Sequence, residues 1–462
     1  MNMYLKVCNP YNSKVIKIIK CDDTKSVNNK IKKLKKLNWN SKKKSIFFKK
    51  VKKELIKQKT FLVNLIVNEV GVSFKDAAYE VERSIICADM SSKIIKKIVK
   101  NYHSNFLITN KTEANIKIIE EPMKLIFAIT PFNLPLVLAI HKIFPAIIAD
   151  VPIVFKPSEK TPLSSLNLLE LLMKCGLEKN FLKLIITKKP EKITKHIIKN
   201  FEVDCISFTG SSRVGLDLQK IITSSKNSLK KYIPELGGCS SLIICEDSDL
   251  NLAVKITIDG CFKYSGQRCT SVRRVIVHNK IANKFIKKLF EKVKNLSFGD
   301  PKQKTINVGS LIDRSAINLV TQRIKKSIKN GSKLIYGNIV KGNSLSPTIL
   351  DHVNLNMEVV AKETFGPICA IIRSKNISES IKLANQTKYQ MACGLITKNK
   401  NYIKKVFKLV SVGQLSVNGA PGYRNESAPF GGFGASGNGE KEGIYLASKA
   451  LKKLRVVYNH NL

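Results

Sequence analysis

The sequence is short of acid. Thirty-four Asp and Glu face 80 Lys and Arg over 462 residues, a formal net charge of +46 at pH 7. It is also short of arginine, with ten among those 80 basic residues. Nucleic-acid interfaces lean on guanidinium forks for base and phosphate recognition. Here lysines are spread along the whole chain beside abundant Ile and Asn, the pattern of compositional drift rather than of a dedicated polyanion surface. There is no CxxC pair, no His-paired cysteine spacing, and the cysteines number 11. Neither a disulfide framework nor a metal site is expected, and free thiols in a cytoplasmic protein are. No apolar signal region follows Met1, so no secretory leader is expected. The one long apolar stretch, Leu125–Phe155, is interrupted by Pro131, Asn133, Pro135, His141, Lys142, Pro145, Asp150 and Pro152. A membrane span needs about 20 largely apolar residues and tolerates few such groups. The ordinary dinucleotide fingerprint G-x-G-x-x-G is missing as well.

What is present is 44% hydrophobic residues in alternating short runs and helical patterns, enough for two or three domains with real cores. Helical periodicity marks Thr60–Val70 and Phe74–Lys100, with Asp, Glu and Lys assigned to the polar side. Leu125–Thr130, Val151–Phe155, Cys205–Thr209, Ser241–Cys245 and Val272–His278 read as buried strands, as do Ile368–Ile372, Leu395–Thr397 and Leu415–Asn418. Thr161-Pro162 starts a helix with Thr161 as cap, and Gly176 stops it; Gly210-Ser211-Ser212 opens another, reaching Thr223. Alternation of this kind predicts parallel sheets covered on both faces, in two α/β domains joined near Gly237-Gly238.

Several short motifs carry chemistry. In Phe208–Gly215 a strand ends at a glycine and Ser211 begins a helix, whose free N–H groups and dipole suit a pyrophosphate. Lys156-Pro157-Ser158-Glu159 places at a strand end an ammonium and a carboxylate that could reach ribose hydroxyls. A carboxylate there repels a 2′-phosphate, which favours NAD over NADP. Glu235-Leu236-Gly237-Gly238 sets a carboxylate on a mobile turn, a candidate general base. In Gly266-Gln267-Arg268-Cys269-Thr270 the positive charge beside Cys269 is expected to lower the thiol pKa. Asn133 in Thr130-Pro131-Phe132-Asn133 offers an amide to a developing oxyanion. Glu363-Thr364-Phe365-Gly366-Pro367 offers a carboxylate and a ring in one loop. Singly, each segment is an ordinary cap, turn or core residue.

Taken together, in this order and with Pro429-Phe430-Gly431-Gly432, the motifs resemble those of the aldehyde dehydrogenase superfamily, from about Thr60 to Tyr458. The resemblance implies a Rossmann-type cofactor domain (1–103 and 123–237), an α/β catalytic domain (238–434) and a small bridging β hairpin (104–122 and 451–462), assembled as a homodimer or homotetramer. It implies Cys269 as nucleophile, Asn133 with the Cys269 N–H as oxyanion donors, hydride transfer from the thiohemiacetal to NAD, and Glu235 activating water against the thioester. The cofactor would be held by Thr130, Pro131, Phe132, Lys156, Ser158, Glu159, Gly210, Ser211, Val214, Leu236, Gly237, Glu363 and Phe365.

Arg268 before Cys269, and the segment Asn418–Arg424, look like the phosphonoacetaldehyde dehydrogenase branch. Leu134, after Asn133, departs from it. Arg268, Thr270 and Arg424 would then bind a small anionic aldehyde, since guanidinium forks suit anions. Phosphonoacetaldehyde is the expected substrate. Non-phosphorylating glyceraldehyde-3-phosphate, lactaldehyde or semialdehyde oxidation are the alternatives, and a basic binding protein on a retired dehydrogenase scaffold is an alternative of another class.

Overall fold

The computed structural model describes residues 4–100, 114–225 and 229–460. Its first sheet has five strands, all parallel, in the order Leu182–Leu184, Ile153–Lys156, Ile126–Ile129, Cys205–Thr209, Lys231–Glu235. The three central strands, IFAI, IVFK and CISFT, are buried at nearly every position, as helices on both faces require. Alternate side chains serve opposite cores: Ile126 and Ala128 pack with Phe144 and Leu168, whereas Phe127 and Ile129 pack with Ile197 and Leu218. In chain order the strands run 3-2-1-4-5. The order therefore reverses between Ile126–Ile129 and Cys205–Thr209, and ligands of open α/β sheets bind at the carboxyl ends of such a switch point. The segments beginning at Thr130 and Gly210 leave from those two ends.

The second sheet has seven strands, ordered Lys333–Tyr336, Thr348–Asp351, Ile368–Ser374, Val272–His278, Ser240–Ile244, Ala392–Ile396, Gln414–Val417. Only its first pair is antiparallel. It too divides two cores, with Ile243, Ile276 and Ile372 on one face and Leu242, Val275 and Ile371 on the other. The α/β fold with parallel sheets is thus the one the alternation predicted. Ala114–Pro122 pairs antiparallel with Lys452–His460; the remainder of the expected bridging segments, 104–113 and 461–462, lies outside the described residues. No described helix is long and apolar enough to cross a membrane.

The lysine-dense first 60 residues, from which no element was read, fold into a Tyr4–Cys8/Val15–Lys20 hairpin and the helices Thr24–Lys32 and Ser41–Lys57. Lysine obscured a helical stripe. Phe47, Phe48, Val51 and Leu55 enter the core, and so does Lys44, whose Nζ donates to the Ile148 carbonyl at 3.0 Å.

Two helix expectations need correction. Thr161 does not cap the Leu163–Lys174 helix; its hydroxyl donates to the Phe132 carbonyl at 3.1 Å. The first N–H groups, of Leu163 and Ser164, go to the buried Glu69 carboxylate, both at 2.8 Å. Nor do the acids of Phe74–Lys100 all face water. Asp76 and Glu80 are buried, because each binds the backbone of another segment. Glu80 Oε1 accepts the Leu136 and Val137 N–H groups at 2.8 and 3.1 Å, opening the Val137–Ala149 helix. Asp76 Oδ2 accepts the Tyr264 N–H at 2.9 Å.

Candidate active site

Cys269 follows an unusual turn. The Leu250–Phe262 helix, capped by Asp249, stops just before this turn, and Tyr264, Ser265 and Gly266 then all take left-handed backbone angles, φ 56°, 54° and 69°. For Tyr and Ser such angles cost about 1–2 kcal/mol each, so the surroundings must impose them. Asp76 holds the Tyr264 N–H, and the Tyr264 hydroxyl returns to the Asp76 carbonyl at 2.8 Å. Arg273, itself buried, ties the carbonyls of Gly266, Arg268 and Gly366 together. Gly238 has no room for a side chain, since a Cβ there would overlap the Cys269 carbonyl oxygen. Cys269 emerges half-buried on a cavity of about 400 Å³.

The cavity wall brings together Pro131, Phe132, Asn133, Gly210, Ser211, Glu235, Leu236, Gly237, Arg268, Cys269, Thr270, Glu363, Phe365 and Arg424. Thr130, Lys156, Ser158, Glu159 and Val214 lie outside it. Lys156 is buried at its strand end, with Nζ donating to the Pro157 carbonyl at 3.0 Å and 4.0 Å from Glu159. Val214 lends only its N–H, at 3.4 Å, to the Ser211 hydroxyl that caps the Ser212–Thr223 helix.

The electrostatics differ from expectation at two residues. Cys269 is not a low-pKa thiol: burial, then the Glu363 and Glu235 carboxylates, push it up to about 12, against a smaller opposing pull from Arg268. Arg268 spends its charge elsewhere, with Nη2 on the Asp259 carbonyl at 3.0 Å and its guanidinium over the Tyr264 ring. Glu235 is not on a mobile turn. It closes the Lys231–Glu235 strand, 1% exposed, and no described side chain hydrogen-bonds its carboxylate. Burial and then Glu442 raise its pKa well above the usual carboxylate value. Gly431 covers it, a position where a Cβ would strike the carboxylate. Glu363 accepts the Gly238 N–H at 2.8 Å, and burial lifts its pKa to about 7.

The motifs did not reveal the rest of the wall. Arg83 and His141 reach the cavity from helices, and Glu442 joins them. Glu442 pairs with the buried Lys142 and accepts the Thr209 hydroxyl at 3.2 Å. Arg83 could have been found from arginine scarcity and from its place on the Asp76–Glu80 face of its helix. Glu426 is 3.9 Å from the Arg424 Nε and closer still to Arg83 and His141.

Residues 2–455 match the aldehyde dehydrogenase family. The chain is 33% identical to the 3-sulfolactaldehyde dehydrogenase of Priestia aryabhattai over 409 residues, 87% of this chain and 83% of that one. It is 33% identical to the lactaldehyde dehydrogenase of Methanocaldococcus jannaschii over 463 residues, 98% and 96% of the two chains. Among solved structures, the glyceraldehyde-3-phosphate dehydrogenase of Methanocaldococcus jannaschii complexed with NADP superposes with a TM-score of 0.92 at 31% identity, covering 100% of both chains. With a match over nearly its full length, the chain belongs to the aldehyde dehydrogenase family and is an NAD(P)-dependent enzyme acting on aldehydes.

Proposed function

We propose that this enzyme oxidises a short aldehyde bearing an anionic group to the corresponding acid. One observation carries the reading: three of the chain's ten arginines, Arg83, Arg268 and Arg424, line the cavity onto which Cys269 opens. Arg268 Nε and Arg424 Nη2 are buried and find no hydrogen-bond partner among the described residues, and leaving such donors unpaired is costly unless a ligand takes them. A sulfonate, phosphate or phosphonate offers the oxygens they need. The relatives described above are named for 3-sulfolactaldehyde, lactaldehyde and glyceraldehyde 3-phosphate, two anionic aldehydes and one neutral, so the arginines and not the names carry the anionic reading; phosphonoacetaldehyde, the substrate expected from the motifs, is the further candidate.

In this reading the Cys269 thiol gives up its proton to solvent and the thiolate adds to the aldehyde carbon, giving a thiohemiacetal whose oxyanion takes the Asn133 amide and the Cys269 N–H. Loss of hydride leaves a thioester. Glu235 removes a proton from water, which attacks the thioester carbonyl, releasing the acid and the thiol.

The wall fits a dinucleotide. Gly210 and Ser211 lead into the Ser212–Thr223 helix at the sheet's switch point, Phe365 stands edge-on to Phe132 at 6.4 Å, and the half-buried Glu363 carboxylate accepts the Gly238 N–H. These groups and Thr130, Pro131, Lys156, Ser158, Glu159, Val214, Leu236 and Gly237 would hold it. When bound, the nicotinamide supplies the acceptor for the hydride. Glu159 favours NAD. The two sheets support the division into a cofactor domain (1–103 and 123–237) and a catalytic domain (238–434), and the Ala114–Pro122/Lys452–His460 pair supports a bridging role for those strands; the protein in this reading is a cytoplasmic homodimer or homotetramer.

The test is an aldehyde panel (glyceraldehyde 3-phosphate, sulfolactaldehyde, phosphonoacetaldehyde, lactaldehyde) with NAD and NADP, read by absorbance of the reduced cofactor. Anionic aldehydes should show the higher kcat/KM, and Cys269→Ala should abolish turnover. Equal use of lactaldehyde would remove the anionic reading.

A further inference from the structure

The anion-facing side of the cavity is organised around one carboxylate. Glu426 is buried. Its Oε1 accepts the Arg83 Nε at 2.6 Å; its Oε2 lies 2.8 Å from the His141 Nε2, 3.5 Å from the Cys87 Sγ and 3.9 Å from the Arg424 Nε. Both guanidiniums therefore meet Glu426 through Nε, the edge nearest their own side chains. That leaves the Nη nitrogens for other partners. Arg424 Nη1 donates to the Ala428 carbonyl at 2.8 Å, while Nη2 is buried with no partner among the described residues. Stacking fixes the planes, with Arg424 4.9 Å over the Phe430 ring and Arg83 6.0 Å over Tyr79.

We propose that Glu426 is a positioning residue for substrate selection: it holds Arg83 by a hydrogen bond and Arg424 by an ion pair at 3.9 Å, both on their inner edges, and so presents their outer nitrogens to the anionic group of the aldehyde. The inference rests on the anionic-aldehyde reading and gives it a mechanism. A bare counter-charge would weaken anion binding; a tether strengthens it by fixing two forks before the substrate arrives. The same cluster offers sulfur, nitrogen and oxygen donors within 4.8 Å, from Cys87, His141 and Glu426. Two guanidiniums on the carboxylate oppose a cation there, and burial holds the Cys87 thiol protonated. The arrangement suits an anion nearby rather than a metal within.

Steady-state kinetics of wild type, Glu426→Gln and Glu426→Asp on glyceraldehyde 3-phosphate and on lactaldehyde separate the possibilities. Glu426→Gln keeps the shape and loses the charge that grips Arg83. It should raise KM for glyceraldehyde 3-phosphate by about 10-fold or more, with kcat and the lactaldehyde KM within about twofold; Glu426→Asp should recover part of the loss. Unchanged lactaldehyde kinetics report that the variant is folded. An unchanged or lower KM for glyceraldehyde 3-phosphate, or an equal fall in kcat on both substrates, overturns the positioning role while leaving the anionic reading intact. A wild type that does not prefer the phosphate substrate overturns the reading and this inference together.

Discussion

Asn133 Nδ2 donates to the carbonyl oxygen of Gln267 at 2.7 Å, two residues before Cys269. The amide is thus oriented by the very turn that presents the sulfur, and its Oδ1 is buried without a partner. If Asn133 is the proposed oxyanion donor, Asn133→Ala should lower kcat by about 10²–10³-fold while alkylation of Cys269 by iodoacetamide keeps its wild-type rate. Slower alkylation would mean that the amide shapes the turn instead.

The Cys269 thiol sits far above neutrality, pushed up to about 12 by burial and two carboxylates. Only the thiolate attacks. Alkylation of the cofactor-free protein, taken as the difference from Cys269→Ala, should therefore rise about tenfold per pH unit between pH 7 and 9. A plateau below pH 8 would contradict a raised thiol.

For Glu235, the proposed base, the expected signature is a split between half-reactions. Glu235→Gln should still give a burst of reduced cofactor near one equivalent per active site, followed by turnover reduced by about 10²–10⁴-fold. Loss of the burst would move Glu235 to the first half-reaction.

Glu80 offers a pH test of stability. Burial raises its folded pKa from 4.5 to about 7. The folded state therefore holds the proton more tightly than the unfolded chain. Its contribution is complete below pH 4.5 and is lost as pH rises from there to about 7. Glu80→Gln cannot ionise and keeps an acceptor for the Leu136 and Val137 N–H groups. Thermal melts should show the variant gaining on wild type between pH 5 and pH 8, by on the order of 1–3 kcal/mol. A difference that does not change with pH would show that Glu80 ionises normally.

The candidate site was legible where it is written in loops. TPFN, FTGS, ELGG, GQRC and ETFGP each leave a strand or precede one, so local sequence signals their place, and most of their side chains meet at one cavity. What helices contribute was hidden. Arg83, Lys142 and His141 sit in amphipathic or apolar patterns whose polar residues read as solvent-facing or as interruptions, and only tertiary packing supplies their partners Glu426 and Glu442. Composition misled and then informed. Lysine masked the Ser41–Lys57 stripe, yet several of the few arginines make multi-donor contacts that no ammonium reproduces. Arg274, for instance, spans the carbonyls of Val360, Leu383 and Gln386, and Arg323 holds the Glu363 carbonyl and the Thr364 hydroxyl.

The Phe74–Lys100 helix carries Asp76, Glu80, Arg83 and Cys87 along one face, spaced by three or four residues. Asp76 holds the turn before Cys269, Glu80 the helix that follows Asn133, and Arg83 and Cys87 the Glu426 cluster. Three regions far apart in the chain are bolted to one rod. Such a rod makes assembly of the pocket all-or-none: local melting of this helix would release the sulfur-bearing turn, the amide and the arginine grip in one event. Inactivation on gentle heating would then follow the opening of a segment that contributes only one cavity-facing arginine, well before the two sheets come apart.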